Sequence, residues 1–216
     1  MLFTDRSHAG RELAEHLREY AGRPGLLVLG LPRGGVPVAL EVARALGAPL
    51  DVLVVRKLGV PGHEELAMGA VAGGGVVLNE DIVTQLGVPR SAVEDEVRRE
   101  LAEVRRREQA YRGARPPLDL RGAVALIVDD GVATGATVRA AVRAARAAGA
   151  SEVVVAVPVG APDSLARIAE VADAVVCPHR PRALSSVGEW YRDFSQTTDE
   201  QVRAALAAGA SRTGAS

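Results

Sequence analysis

Two acids stand side by side at Asp129 and Asp130, at the end of the apolar run 124–128, and Gly131, Thr134, Gly135, Ala136 and Thr137 follow directly. Adjacent side chains at a strand end face opposite ways. Gly131 and Gly135 permit tight turning and close backbone approach, and the helical pattern that follows begins with amides lacking a partner inside the helix. Such amides, with the Thr134 and Thr137 hydroxyls beside them, form a cradle for a phosphate group. Fronted by two carboxylates, the cradle suits a sugar phosphate: vicinal ring hydroxyls donate to the acids while the amides hold the phosphate. A plain helix cap needs one acid and one hydroxyl. A Walker loop needs a Gly-Lys-Ser/Thr sequence that does not follow here.

A second turn carries related chemistry. The apolar run 26–29 leads into Gly30, Pro32, Arg33, Gly34 and Gly35, where backbone amides and one guanidinium suit a diphosphate because arginine grips two oxygens at once. Lys57, next to Arg56, is the single lysine among 26 basic residues. A chain that uses arginine at every other basic position has a reason to keep a compact ammonium at this one. Cys177 continues an apolar strand and reads as a small buried hydrophobe. The histidines have no metal-ligand spacing with any cysteine or second histidine.

The elements that must position these groups are legible as a pattern. Apolar runs of strand length recur at 26–29, 52–55, 124–128, 153–157 and 174–176, rich in Val, Leu and Ile as in strands buried on both faces. Helical patterns lie between them: one capped by Ser7 and running through Tyr20, then 36–46, 138–148 and 164–172. Ser91 and Glu94 have capping-box spacing, and Val93, Val97, Leu101 and Val104 draw a narrow apolar stripe along a charged surface helix to about Tyr111. Strands alternating with helices predict an α/β fold, a mostly parallel twisted sheet with helices on both faces. Ligands bind beyond the carboxyl ends of such strands. Residues 59–75 lack a sustained period, contain a Pro-Gly pair and read as a long mobile loop. We expect one domain over 1–210 and a frayed tail at 211–216.

The run Val-Ala-Leu-Ile-Val-Asp-Asp-Gly-Val-Ala-Thr-Gly-Ala-Thr resembles the 5-phosphoribosyl 1-pyrophosphate signature of the type I phosphoribosyltransferases. The resemblance implies that Asp129 and Asp130 contact the ribose hydroxyls and that Val132, Ala133, Thr134, Gly135, Ala136 and Thr137 hold the 5-phosphate. It also implies a pyrophosphate loop at Pro32, Arg33 and Gly34, with Arg56 and Lys57 aimed at the same group. Asp129, Asp130 and Lys57 would then serve catalysis. A flexible lid would fall at about 58–76, with His63 and Glu64 as candidates for chemistry. A hood over 178–198 would select the acceptor, with Trp190 or Tyr191 stacking on a planar base. Mg2+ would be held mainly by the substrate diphosphate, without a protein metal site of its own. The charged helix at 91–111 looks like an insertion, and the acceptor half matches no hood specific for adenine, hypoxanthine, uracil or orotate.

The implied activity is transfer of the 5-phosphoribosyl group to a nucleobase or another nitrogen acceptor, with small molecules as partners. The rival is a non-catalytic sensor of the same sugar diphosphate or of a nucleotide. The length of 216 residues fits one large domain or two small ones, and 48% hydrophobic with 25% charged residues is the balance of a globular chain. A net charge of -1 implies no general attraction to nucleic acid or anionic membranes. One cysteine and no apolar run of about 18 residues point to a cytoplasmic protein. Dimers are common in the family, which makes a homodimer the oligomer to expect.

Overall fold

Each central strand divides its side chains between two apolar cores, as a period of two requires of a strand covered on both faces. Val124, Leu126 and Val128 enter one core, while Ala125 and Ile127 enter the other. The next parallel strand repeats this, with Val154 and Ala156 on the first side and Val153, Val155 and Val157 on the second. The structure is a computed structural model and describes residues 2–72 and 75–210, the side chains of 63–66 and 210 excepted.

Five parallel strands form the main sheet: β1 (Leu26–Gly30), β2 (Leu50–Val52), β6 (Val124–Val128), β7 (Glu152–Ala156) and β8 (Ala174–Val176), in the order β2-β1-β6-β7-β8. Helices α1 (Arg6–Glu15) and α2 (Gly35–Leu46) cover one face together with α7 (Asp199–Ala210). Helices α5 (Ala136–Ala147) and α6 (Pro162–Ala169) cover the other. This is the single-domain α/β arrangement that the alternation of patterns predicts. Among the described residues no helix is long and apolar enough to cross a membrane.

The region expected to be a long loop is largely strand. Strands β3 (Val55–Val60), β4 (His63–Ala72) and β5 (Gly75–Leu78) make a three-stranded antiparallel sheet. The β3–β4 register runs from Val55 opposite Ala72 to Val60 opposite His63, turning at Pro61 and Gly62, the latter with φ of 77°. Small residues hid the period of two. A Cβ at Gly69 would sit 2.3 Å from the Val77 carbonyl, so close pairing requires glycine where a strand pattern calls for a branched side chain. The expected strand at 52–55 is likewise divided, ending in β2 and restarting in β3.

Helix starts are corrected too. Asp5, not Ser7, caps α1 by accepting the His8 amide at 2.7 Å. Helix α4 (Arg90–Arg112) begins after Pro89 without a side-chain cap, so Ser91 lies inside its first turn and the capping-box reading fails. Asn79 caps the short α3 (Glu80–Gln85). Helix α7 carried no signal in the sequence reading, because its Ala-rich turns lack a strong apolar stripe.

The long α4 is fastened to the main sheet by one buried ion pair. Arg112 donates to both oxygens of Asp51 at 2.9 and 3.0 Å, with side chains 8% and 13% exposed. Removing one partner of such a pair strands the other charge out of water, at about 3–5 kcal/mol. Asp51→Ala should therefore lower stability in urea unfolding by roughly that amount. A loss below about 1 kcal/mol, the range of exposed pairs, would show that the contact does not fasten the helix.

Candidate functional site

Strand β6 lies between β1 and β7 and delivers Asp129 and Asp130 to the carboxyl edge of the sheet. There the turn after β1 meets them. The Leu31 amide donates to the Val128 carbonyl at 2.9 Å, and the turn through Gly34 and Gly35 lies against the two acids. A Cβ on Gly34 would come within 2.1 Å of Asp130 Oδ2, and one on Gly35 within 2.6 Å of the Val128 carbonyl and 3.0 Å of Asp129 Oδ1. The adjacent glycines thus allow two loops distant in sequence to pack against one another at the strand ends.

The acids have different partners. Asp129 Oδ1 accepts the Asp130 amide at 2.9 Å, whereas Asp130 Oδ2 accepts Nε of Arg6 at 2.8 Å. Arg6 also donates through Nη1 to the Ser195 carbonyl at 2.7 Å and stands 4.0 Å from the ring centre of Phe194. Burial pushes the Asp129 carboxyl well above its ordinary value of 3.8, and the neighbouring Asp130 charge adds to this. Asp130 is also raised by burial, which outweighs the opposing pull of Arg6.

The Thr-Gly loop is anchored from behind. The Val132 amide donates to the Val159 carbonyl and its carbonyl accepts the Ala161 amide, both at 2.9 Å, while the Val132 side chain is buried. Both backbone polar groups of Val132 are therefore engaged in the fold, so Val132, expected in the phosphate loop, has no free amide to offer. Ser164 Oγ donates to the Ala133 carbonyl at 2.7 Å. Gly135 has φ of 74°, a conformation that favours glycine, and α5 starts immediately after it. Thr134 and Thr137 are exposed, and the first-turn amides of α5 have no acceptor within their own helix.

The 178–198 segment folds over this corner. A Cβ on Gly131 would meet Val187 at 2.5 Å, so the one-turn helix at Val187–Trp190 rests directly on the acidic turn. Tyr191, expected to be available for stacking, is buried and donates its hydroxyl to the Asp130 carbonyl at 2.5 Å. Burial raises that hydroxyl far above its ordinary value, so it stays a donor. Its ring packs against Phe3 and Phe194 at 5.2 and 5.0 Å. Trp190 is half-buried against His179 and Phe3. The N-terminal residues take part as well: Phe3 and Tyr191 form a bridge.

The remaining expected residues separate. Arg33 lies 3.6 Å from Asp199 at the start of α7, and the peptide joining Pro32 to Arg33 is cis. Arg56 donates Nε to the buried Glu100 of α4 at 2.6 Å, with its side chain 39% exposed. Its neighbour Lys57 is exposed and borders two hollows, one beside Glu100 and one beside Arg139 of α5. His63 and Glu64 fall at the start of β4, and their side chains lie outside the described residues. Arg6 and Phe194 escaped the sequence reading, since neither sits in a motif and both reach the acids only through the folding of the two ends of the chain.

A family model for the phosphoribosyl transferase domain matches residues 62–189, well over half of the chain. The chain belongs to the phosphoribosyl transferase family. The match includes both acids and the Thr-Gly loop, while Arg6, the turn at 32–34 and Lys57 precede it. A curated relative from Mycobacterium tuberculosis strain H37Rv, which carries a phosphoribosyl transferase name, is 52% identical over 206 residues, 95% of this chain and 46% of the relative. The chain thus spans about half the length of the curated relatives it matches. The crystal structure of TT1426 from Thermus thermophilus is similar at 45% identity and a TM-score of 0.86, covering 95% of this chain and 98% of that one. The AQ2163 protein from Aquifex aeolicus, 14% identical with a TM-score of 0.51 over 94% of this chain and 85% of that one, shares the fold.

The elevated value of Asp129 gives this phosphoribosyl transferase domain one pH-dependent contribution to stability. Folding disfavours the carboxylate form, so the stability associated with this group is present below the ordinary value of 3.8 and is lost as pH rises through the elevated folded value. Asp129→Asn keeps the oxygen that accepts the Asp130 amide and removes the charge. It should raise the thermal midpoint at pH 7 and flatten its fall with rising pH. A midpoint at pH 7 below that of the wild type would contradict the cause assigned here.

Proposed function

We propose that the chain transfers the 5-phosphoribosyl group of 5-phosphoribosyl 1-pyrophosphate to a nitrogen acceptor and releases pyrophosphate. The observation that carries this reading is the corner at the carboxyl edge of the sheet, where the turn through Gly34 and Gly35 packs against the Asp129–Asp130 pair and the exposed Thr134 and Thr137 follow directly. The loop amides and the Thr134 and Thr137 hydroxyls take the 5-phosphate. The carboxylates receive the ribose 2- and 3-hydroxyls, and the backbone of 32–34 with Arg33 takes the diphosphate. The bond from the anomeric carbon to the diphosphate oxygen breaks, the acceptor nitrogen bonds to that carbon, and the nitrogen gives up its proton. The leaving group departs with the bonding electrons as pyrophosphate.

Positive charge develops on the ribose ring as that bond breaks, and preoriented carboxylates favour it without having to reorganise. Arg6 holds the Asp130 carboxylate in one orientation, and Tyr191 pins the backbone carbonyl of the same residue. Holding the sugar phosphate at both ends restricts the anomeric carbon to one place. The family resemblance adds Mg2+. The ligands of that ion would come chiefly from the diphosphate and water, with one or two carboxylates nearby. When bound it would neutralise charge on the departing pyrophosphate.

The acceptor is a nucleobase or another nitrogen compound of small size. With Tyr191 engaged in the aromatic cluster, Trp190 is the hood residue left to border it. The double variant Asp129→Asn with Asp130→Asn should lose at least about 10²–10³-fold in pyrophosphate release from 5-phosphoribosyl 1-pyrophosphate against a panel of bases, the usual scale for removing an electrostatic stabiliser. Its circular dichroism should match that of the wild type. Wild-type turnover in that variant would refute the assignment. Binding of the sugar diphosphate by the wild type without release for any acceptor would favour the sensor reading.

A further inference from the structure

Between α5 and the small sheet lies a cavity of about 330 Å³ that the substrate cleft does not account for. Its charged lining residues are Lys57 from β3 and Arg139 and Arg143 from α5, and no acid lines it among the described residues. The two arginines are four apart and therefore share one helix face. None of the three cations has an ion pair among the described residues, whereas most of the arginines on the neighbouring α4 do. Arg139 Nε is buried without a hydrogen-bond partner, the only such side-chain atom among the described residues.

Such an arrangement is unfavourable by itself. Three like charges around one hollow repel one another, a buried donor without an acceptor loses its hydration, and Arg139 stands in the first turn of α5, where the helix dipole opposes a cation. An anion in the cavity relieves all three. Asn79, also in the lining, uses its side-chain oxygen to cap α3 and keeps its amide group as a further donor. Apolar residues such as Val77 and Ala140 complete the wall. The volume lies at the lower end of the range for small-molecule sites.

We infer that this cavity is a second anion site, which takes a phosphate or diphosphate group of a small molecule through Lys57, Arg139 and Arg143, apart from the cleft at Asp129 and Asp130. The sole lysine then has a setting in which a compact ammonium borders the same hollow as two guanidinium groups. The site meets the phosphate loop at Ala136, but its three cations take no part in the steps proposed above.

The test is calorimetric titration of the full chain with inorganic pyrophosphate at fixed ionic strength. Four proteins are compared: the wild type, Arg143→Ala, Arg139→Gln, and a threonine variant, Thr134→Val with Thr137→Val, that also carries Arg33→Ala. Arg143 is exposed on α5, so its truncation leaves the helix intact, and Arg139→Gln gives an independent check. The wild type should bind, Arg143→Ala and Arg139→Gln should bind at least about tenfold more weakly, as expected for loss of a charged hydrogen bond, and the threonine variant should retain the binding. Absence of binding by the wild type would overturn the inference. So would binding unchanged in Arg143→Ala and Arg139→Gln, and so would binding lost in the threonine variant, which would put the anion at the proposed substrate site and leave the proposed transferase activity standing.

Discussion

Two carboxylates on consecutive residues at the end of one buried strand repel each other and lose hydration, and the surrounding structure answers both problems. Asp129 is tied to the next amide, Asp130 to Arg6, and the Asp130 carbonyl, where the chain enters the following turn, to Tyr191. Burial still holds both acids above their ordinary range. A fold selected for stability alone would place apolar or singly charged residues there. Keeping the pair, and closing it in with glycines that admit no side chain, makes sense when a ligand supplies hydroxyl donors to the acids.

That constraint reaches far along the chain. Gly34 and Gly35 tie β1 to β6 through the carboxylates, and Gly131 lets Val187 descend onto the same turn. Phe3 pairs with Tyr191, so the first residues described and the segment before α7 form a single lid of chain over one corner. On the other flank, Arg56 and Lys57 show how one strand serves two neighbours. Arg56 binds Glu100 and so holds α4, while Lys57 borders the cationic cavity beside α5.

The main sheet was legible because its strands are buried on both faces and read as uninterrupted Val/Leu/Ile runs. The acids and the Thr-Gly loop were legible because residues adjacent in sequence act together there. Strands β3–β5 were not, since Gly69 and the alanines of β4 replace the branched residues that mark a strand, and their pairing is enforced by packing against α4 and α5. Arg6 and Phe194 were invisible for a different reason: Arg6 reaches Asp130 across 124 residues of chain, and Phe194 joins it from the opposite end. Tyr191 was seen as an aromatic of interest, but only the structure shows that its ring closes a small cluster and that its hydroxyl holds a carbonyl. The same limit applied to Arg56, whose partner Glu100 lies on a helix that sequence alone left as a solvated insertion.

The central claim is that the corner at Asp129–Thr137 receives 5-phosphoribosyl 1-pyrophosphate. The most direct measurement is calorimetric titration of the intact chain with that compound in the presence of Mg2+. Saturable binding is expected, and it should survive truncation of Arg143 in the cationic cavity. No binding under those conditions would contradict the claim, because the two acids and the phosphate loop would then have lost the ligand that explains why they stand together.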